Sequence, residues 1–152
     1  MHGISGGIVE SLTCGVEETL KGNWRELMGD FRNLETWREC RKIRMAMWEL
    51  SSRLPPNERY RPADQIIRAS RSSTANIAEG CGRYHYQENI QFCRQARGSL
   101  YELIDHILVA EECKYIGKEE VQEIINKIEK TLMLLNGYIR HLHSKKKNNS
   151  TS

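Results

Sequence analysis

The sequence predicts an all-α protein folded as an antiparallel, up-down four-helix bundle. Three observations lead there. Four segments carry apolar residues at three- and four-residue steps, the spacing of one buried stripe on a helix. Lys, Arg, Glu and Leu are abundant while Pro (3) and Phe (2) are scarce, a composition that favours helix. The links between the segments are short, so successive helices become antiparallel neighbours. At 152 residues and 39% hydrophobic, the chain is one domain large enough to bury a core.

The first helix is expected from about Leu34 to Ser52, with Asn33 as its N-cap and a stripe of Trp37, Cys40, Ile43, Met47, Leu50 and Leu54. Pro55-Pro56-Asn57 ends it. The second begins near Pro62, a residue suited to a first helical turn, with Asp64 favouring the positive helix end. It buries Ile66, Ala69, Ser73 and Ile77 and meets a stop at Gly80 and Gly82. The stretch Ser73-Thr-Ala-Asn-Ile-Ala-Glu-Gly80 is rich in small residues and is followed at helical distance by Ala96-Arg-Gly-Ser-Leu100. Small side chains let two backbones approach closely, so this pair reads as a packing device.

The third helix is the longest, from about Tyr86 to Cys113, with Ile90, Cys93, Ala96, Leu100, Leu103, Ile107 and Ala110 on its inner face. After the turn Lys114-Tyr-Ile-Gly117, the fourth runs from Lys118 to Leu142. It opens on Glu119 and Glu120 and packs Val121, Ile124, Ile125, Ile128, Leu132, Leu135 and Ile139. Domain organisation follows. Residues 30–143 form the bundle, and residues 144–152 form a disordered basic and polar tail. Residues 1–29, rich in glycine, are a loosely held extension or a translated leader. In the leader reading Met28 is the natural start, because Trp24-Arg25-Glu26 can be encoded as a purine-rich ribosome-binding sequence.

Composition excludes several classes. No apolar run approaches the roughly 20 residues needed to span a bilayer, and no signal-peptide pattern opens the chain, so a cytoplasmic protein without a membrane partner is expected. Five cysteines at irregular spacing, with no Cys-x-x-Cys, read as reduced thiols. His2, His85, His106, His141 and His143 form no Glu-x-x-His or His-Glu-x-x-His pair, so no metal is expected. Glu79 could serve as a base but is better explained by pairing with an arginine such as Arg97. No nucleophile elbow or phosphate loop occurs. A protein without catalytic residues or cofactors, and not an enzyme, is the expectation.

Charge carries more information. The formal net charge of +3 conceals balances of −3 over residues 1–37, +6 over 38–97, −3 over 98–143 and +3 in the tail. Such a field attracts polyanions. Arg38, Arg41, Lys42 and Arg44 on the first helix, Arg68 and Arg71 on the second, then Arg83 and Arg94, are the candidate phosphate contacts. Lys145, Lys146 and Lys147 of the tail join them, and Tyr84 and Tyr86 offer stacking surfaces. The competing reading is a solvated face whose arginines pair with Glu39, Glu49 and Asp64. Sequence-specific readout has no motif to support it.

Five segments also carry a resemblance. They are Phe31-Arg-Asn-Leu-Glu-Thr-Trp37, Asp64-Gln-Ile66, Ser73–Gly80, Ala96–Leu100 and Leu135-Asn-Gly-Tyr-Ile-Arg140. In order and spacing they resemble the four-helix-bundle family of large-subunit ribosomal RNA intervening-sequence proteins. They are similar also to the related accessory variability determinants of diversity-generating retroelements. Gly82–Arg94 is more like members encoded beside reverse transcriptases. The resemblance implies a homopentameric ring with a basic surface. In the retroelement branch it implies an accessory protein that binds the reverse transcriptase and RNA or cDNA during mutagenic retrohoming. In the other branch it implies an RNA-related or unknown role. By the same resemblance Trp37, Asn76, Glu79, Gly80, Arg97 and Ser99 are structural or subunit contacts.

Overall fold

Apolar periodicity becomes four helices in the structure, a computed structural model that describes residues 29–55 and 62–149. A 3-10 turn at Phe31–Asn33 leads into α1 (Glu35–Arg53), followed by α2 (Pro62–Cys81), α3 (Tyr86–Glu112) and α4 (Lys118–Asn149). No strand occurs among the described residues. α1 packs on α2, α2 on α3, α3 on α4, and α4 closes back on α1. That cyclic order is an antiparallel up-down bundle, and the residues from Phe31 onward form one compact unit.

The predicted stripes meet along the axis. Cys40, Ile43, Met47 and Leu50 of α1, Ile66 and Ile77 of α2, Leu100, Leu103 and Ile107 of α3, and Ile128 and Leu135 of α4 are buried together. Ile125 sits at the margin, half-buried, rather than inside. The expected leader at residues 1–27, and Pro56 and Asn57 of the expected helix stop, lie outside the described residues.

Three local expectations change. Asn33 does not cap α1; Leu34 occupies that position with no side-chain cap, and Asn33 Oδ1 instead accepts a bond from Arg38 at 3.4 Å. Gly80 is no terminator. It lies within α2, buried, where a Cβ would come within 2.8 Å of Phe92 Cβ and of Asn89 Oδ1. The chain leaves the helix at Gly82, whose N–H donates to Ala78 and Glu79 carbonyls. Finally, α4 continues to Asn149, so residues 144–149 are helical where a disordered tail is expected. Lysine is a good helix former, and cations near a helix C-terminus are stabilised by the helix dipole, which favours extension through Lys145–Lys147.

The end of α3 has a clear mechanism. Tyr115 N–H donates to Ala110 O at 2.9 Å and Lys114 N–H to Glu111 O at 2.8 Å, with Lys114 at φ 62°. This is the paired closure of a left-handed helix end, here using lysine where glycine is usual.

The α2–α3 seam is the most closely packed in the bundle. Gly80 of α2 lies there against Asn89 and Phe92 of α3, with no side chain of its own between them. Ser99 Oγ donates to Ser72 Oγ at 2.8 Å, and Asn76 Nδ2 donates to Ser72 O at 2.9 Å and to its Oγ at 3.1 Å. Small side chains thus permit close approach, and hydroxyls satisfy one another across it.

Candidate nucleic-acid interface

The topology divides the predicted cations into two groups and leaves a remainder. One group lies on the α1–α2 seam. Arg44 is half-buried and its Nη1 donates to Thr74 Oγ1 at 2.8 Å, so it crosses the seam rather than pointing outward as expected. One turn further along α1, Trp48 is 58% exposed and the Arg71 guanidinium lies 5.5 Å from its ring centroid. Arg44, Met45, Trp48, Glu49, Ile67, Ser70 and Arg71 line an open groove of about 250 Å³. Met45 is also 49% exposed, so the lining combines apolar side chains with two arginines and one acid, Glu49.

The second group lies at one end of the bundle. An up-down topology places the start of α1, the end of α2, the start of α3 and the end of α4 together there. Lys146 Nζ donates to Gln87 Oε1 at 2.8 Å, tying the lysine run to the first turn of α3. Arg83 donates to Glu79 Oε1 at 2.6 Å while its guanidinium covers the Phe92 ring at 4.9 Å. Tyr84 is exposed and sits edge-on to His85 at 5.1 Å. Residues 31–42, 79–94 and 137–149, which build this end, hold ten Lys or Arg against four Asp or Glu. Residues 48–55, 62–70 and 105–123, the described residues that build the other, hold four against eight. The bundle is therefore polarised along its axis, with the α4 lysines on the cationic side.

Other predicted positions are dispersed. Arg38 is folded back, its Nε donating to Arg32 O at 2.9 Å, and Lys42 pairs with Glu39 at 2.5 Å. The Lys42–Glu39 pair is exposed and of small energetic weight, and it agrees with the solvated-face reading at that position. Arg41, Arg68 and Arg94 are exposed. Of the remaining positions, Glu79 pairs with Arg83, not with Arg97. Arg97 instead donates to Asn136 Oδ1 at 3.2 Å and links α3 to α4. Trp37 is half-buried against the core and edge-on to Phe31 at 5.1 Å. Trp48 and Met45 escape a pattern reading because they fall off the buried stripe of α1. An exposed tryptophan off the stripe was the signal available.

The interior contains thiols rather than a polar pocket. Burial pushes Cys40 up to about 12 against a weaker opposing hydrogen bond with Ser73, and it pushes Cys93 up to about 12 with Cys81 and Cys40 nearby. Such thiols stay protonated and unreactive. Tyr138 is likewise pushed up to about 12 by burial, and its hydroxyl accepts from Asn89 Nδ2 at 3.3 Å. Among the described residues no group of His, Cys, Asp and Glu is placed to hold a metal ion, and no helix is long and apolar enough to cross a membrane.

The family model described as 23S rRNA-intervening sequence protein matches residues 32–137. The chain belongs to that family. The matched span of the intervening-sequence protein contains α1 to α3 and most of α4, including the α1–α2 groove, and stops short of Lys145–Lys147. A solved structure of a protein of unknown function from the S23 ribosomal protein family of Bacteroides thetaiotaomicron is similar in fold. It superposes with a TM-score of 0.64 at 20% identity, covering 69% of this chain and 95% of that one. No curated protein matches the sequence.

Proposed function

We propose that this intervening-sequence protein is a non-catalytic nucleic-acid-binding protein that presents the cationic end of its bundle to phosphate. The observation that carries this reading is the charge polarity along the axis, with Lys146 tied to Gln87 in the first turn of α3 and Tyr84 exposed just before that helix. Clustered cations release counterions from a polyanion, and tyrosine faces accept bases without regard to sequence.

The finer reading is an accessory protein of a diversity-generating retroelement, with a reverse transcriptase and RNA or cDNA as partners and a homopentameric ring as the working form. It is supported by the resemblance of Gly82–Arg94 to members encoded beside reverse transcriptases, a segment that lies at the cationic end. A second reading, an intervening-sequence protein acting on ribosomal RNA, is supported by the family's own description. An adjacent reverse transcriptase gene with paired template and variable repeats favours the first, and a position inside a ribosomal RNA gene favours the second.

The common part is tested by titrating labelled RNA at increasing salt. Binding should weaken steeply, and changing Lys145, Lys146 and Lys147 together to Glu should lower the salt slope by about 2–3. These side chains are exposed, so the helical circular dichroism signal should persist. Arg44 is a poor choice for this test because its reversal also removes the bond to Thr74. A salt-independent or unchanged titration in the triple variant refutes the cationic-end reading.

A further inference from the structure

We propose that the α1–α2 groove is a single-stranded nucleic-acid subsite, in which a nucleobase stacks on Trp48 and the flanking phosphates meet Arg41, Arg44 and Arg68. This rests on the nucleic-acid-binding reading above and names a second contact region for it, on the flank of the bundle rather than its end.

Four features carry the inference. Trp48 is 58% exposed although it is the largest side chain type and lies beside an apolar neighbour, Met45, which is 49% exposed. Arg71 lies over the Trp48 ring at 5.5 Å, so the indole is already held between a guanidinium and open solvent. A base entering on the open side completes a guanidinium–indole–base stack, an arrangement in which aromatic and cationic groups both contribute. The adjoining groove of about 250 Å³ is shallow and apolar enough to accept the edge of a planar ring.

The charges around it fit a strand rather than a neutral ligand. Arg41 stands two turns before Trp48 on the same face of α1, and Arg68 one turn before Arg71 on α2, both exposed. Arg44 uses Nη1 on Thr74 and keeps its other N–H donors for an oxygen acceptor. Against these four arginines the lining supplies one acid, Glu49, which can accept from a base N–H. Unstacked bases exist in single strands and not in an intact duplex, so the site should discriminate between them.

The test uses the full chain, with Trp48→Ala and Trp48→Phe variants. Each is titrated against a short fluorescein-labelled oligothymidylate and against a duplex of the same length at one salt concentration. Trp48→Ala should weaken oligothymidylate binding about tenfold, Trp48→Phe should retain most of it, and duplex binding should not move. Equal binding by wild type and Trp48→Ala, with the Lys145–Lys147 reversal still harmful, overturns the stacking site and leaves the cationic end standing. Failure of the wild type to bind either probe overturns both. A drop in mass of the Trp48→Ala variant by light scattering means the groove joins copies of the chain, and also overturns the inference.

Discussion

The α2–α3 and α1–α2 seams share a helix in the same bundle, yet they are built on opposite plans. α2 and α3 meet where Gly80 lies against Asn89 and Phe92, with hydroxyls satisfied across the seam by Ser72 and Ser99. α1 and α2 bury Cys40, Ile43 and Met47 on the inner side but leave Trp48, Met45 and Arg71 at the outer edge. One seam spends its small residues on close approach. The other keeps large and charged ones at the rim, where they add little to the core. The lesson is that close packing and an exposed aromatic and charged rim fall on different seams, and each plan can be broken separately.

The largest expected effect probes the shared dry interior. Cys40 and Cys93 have an ordinary value of 9.0 and are pushed up to about 12 by burial. In the unfolded chain they ionise near 9, while the folded state holds them neutral. Their contribution is complete below pH 9 and is lost as pH rises from there toward 12. Unfolding measured by urea titration should therefore show stability falling by about 2–3 kcal/mol between pH 8 and pH 10. A Cys40→Ala, Cys93→Ala double variant should lose much of that fall. A flat profile in the parent protein would mean that water reaches these thiols and the inner side of the α1–α2 seam is not dry.

Next in size is a comparison of two glycines. Gly80→Ala places a Cβ within 2.8 Å of Phe92 Cβ, and α3 must move outward; a cost of about 1–2 kcal/mol is expected, after the helix-propensity gain. Gly98 lies in α3 with nothing within 4 Å of the corresponding Cβ. There the same substitution should stabilise by about 0.5–1 kcal/mol. Thermal unfolding of the two variants reads the difference as opposite signs. If both stabilise, the α2–α3 seam has room to spare and the close-approach argument fails.

Much of this was legible in the sequence because it depends on period and residue size. The stripes of all four helices, Pro62 as the first residue of α2 and the small-residue character of Ser73–Gly80 need no partner to be read. What was not legible depends on the partner. Gly80 reads as a stop until Asn89 and Phe92 are placed against it. Glu79 has several arginines within chain reach, and only the α2–α3 turn selects Arg83 over Arg97. The lysine run reads as a tail because it has no apolar stripe, yet it extends α4 and reaches Gln87. The same blindness applies to the candidate site. A list of arginines is available from the sequence, but which of them share an end or a groove is a property of the topology.

The smallest expected effect is the most diagnostic for the open seam. Trp48→Ala should change stability by less than about 0.5 kcal/mol. It gives up a solvent-exposed contact with Arg71, worth about 0.5–1 kcal/mol at most, and gains the better helix propensity of alanine. Trp37, half-buried on the core and edge-on to Phe31, provides the contrast, and Trp37→Ala should cost clearly more. If the two tryptophans prove equally costly to remove, Trp48 is part of the bundle's structure and its exposure has been misread. If Trp48 is dispensable for folding, the residue has been kept large and uncovered without benefit to the core. An exposed indole beneath a guanidinium then needs a reason outside the fold, and a ligand with a planar face and negative charge supplies one.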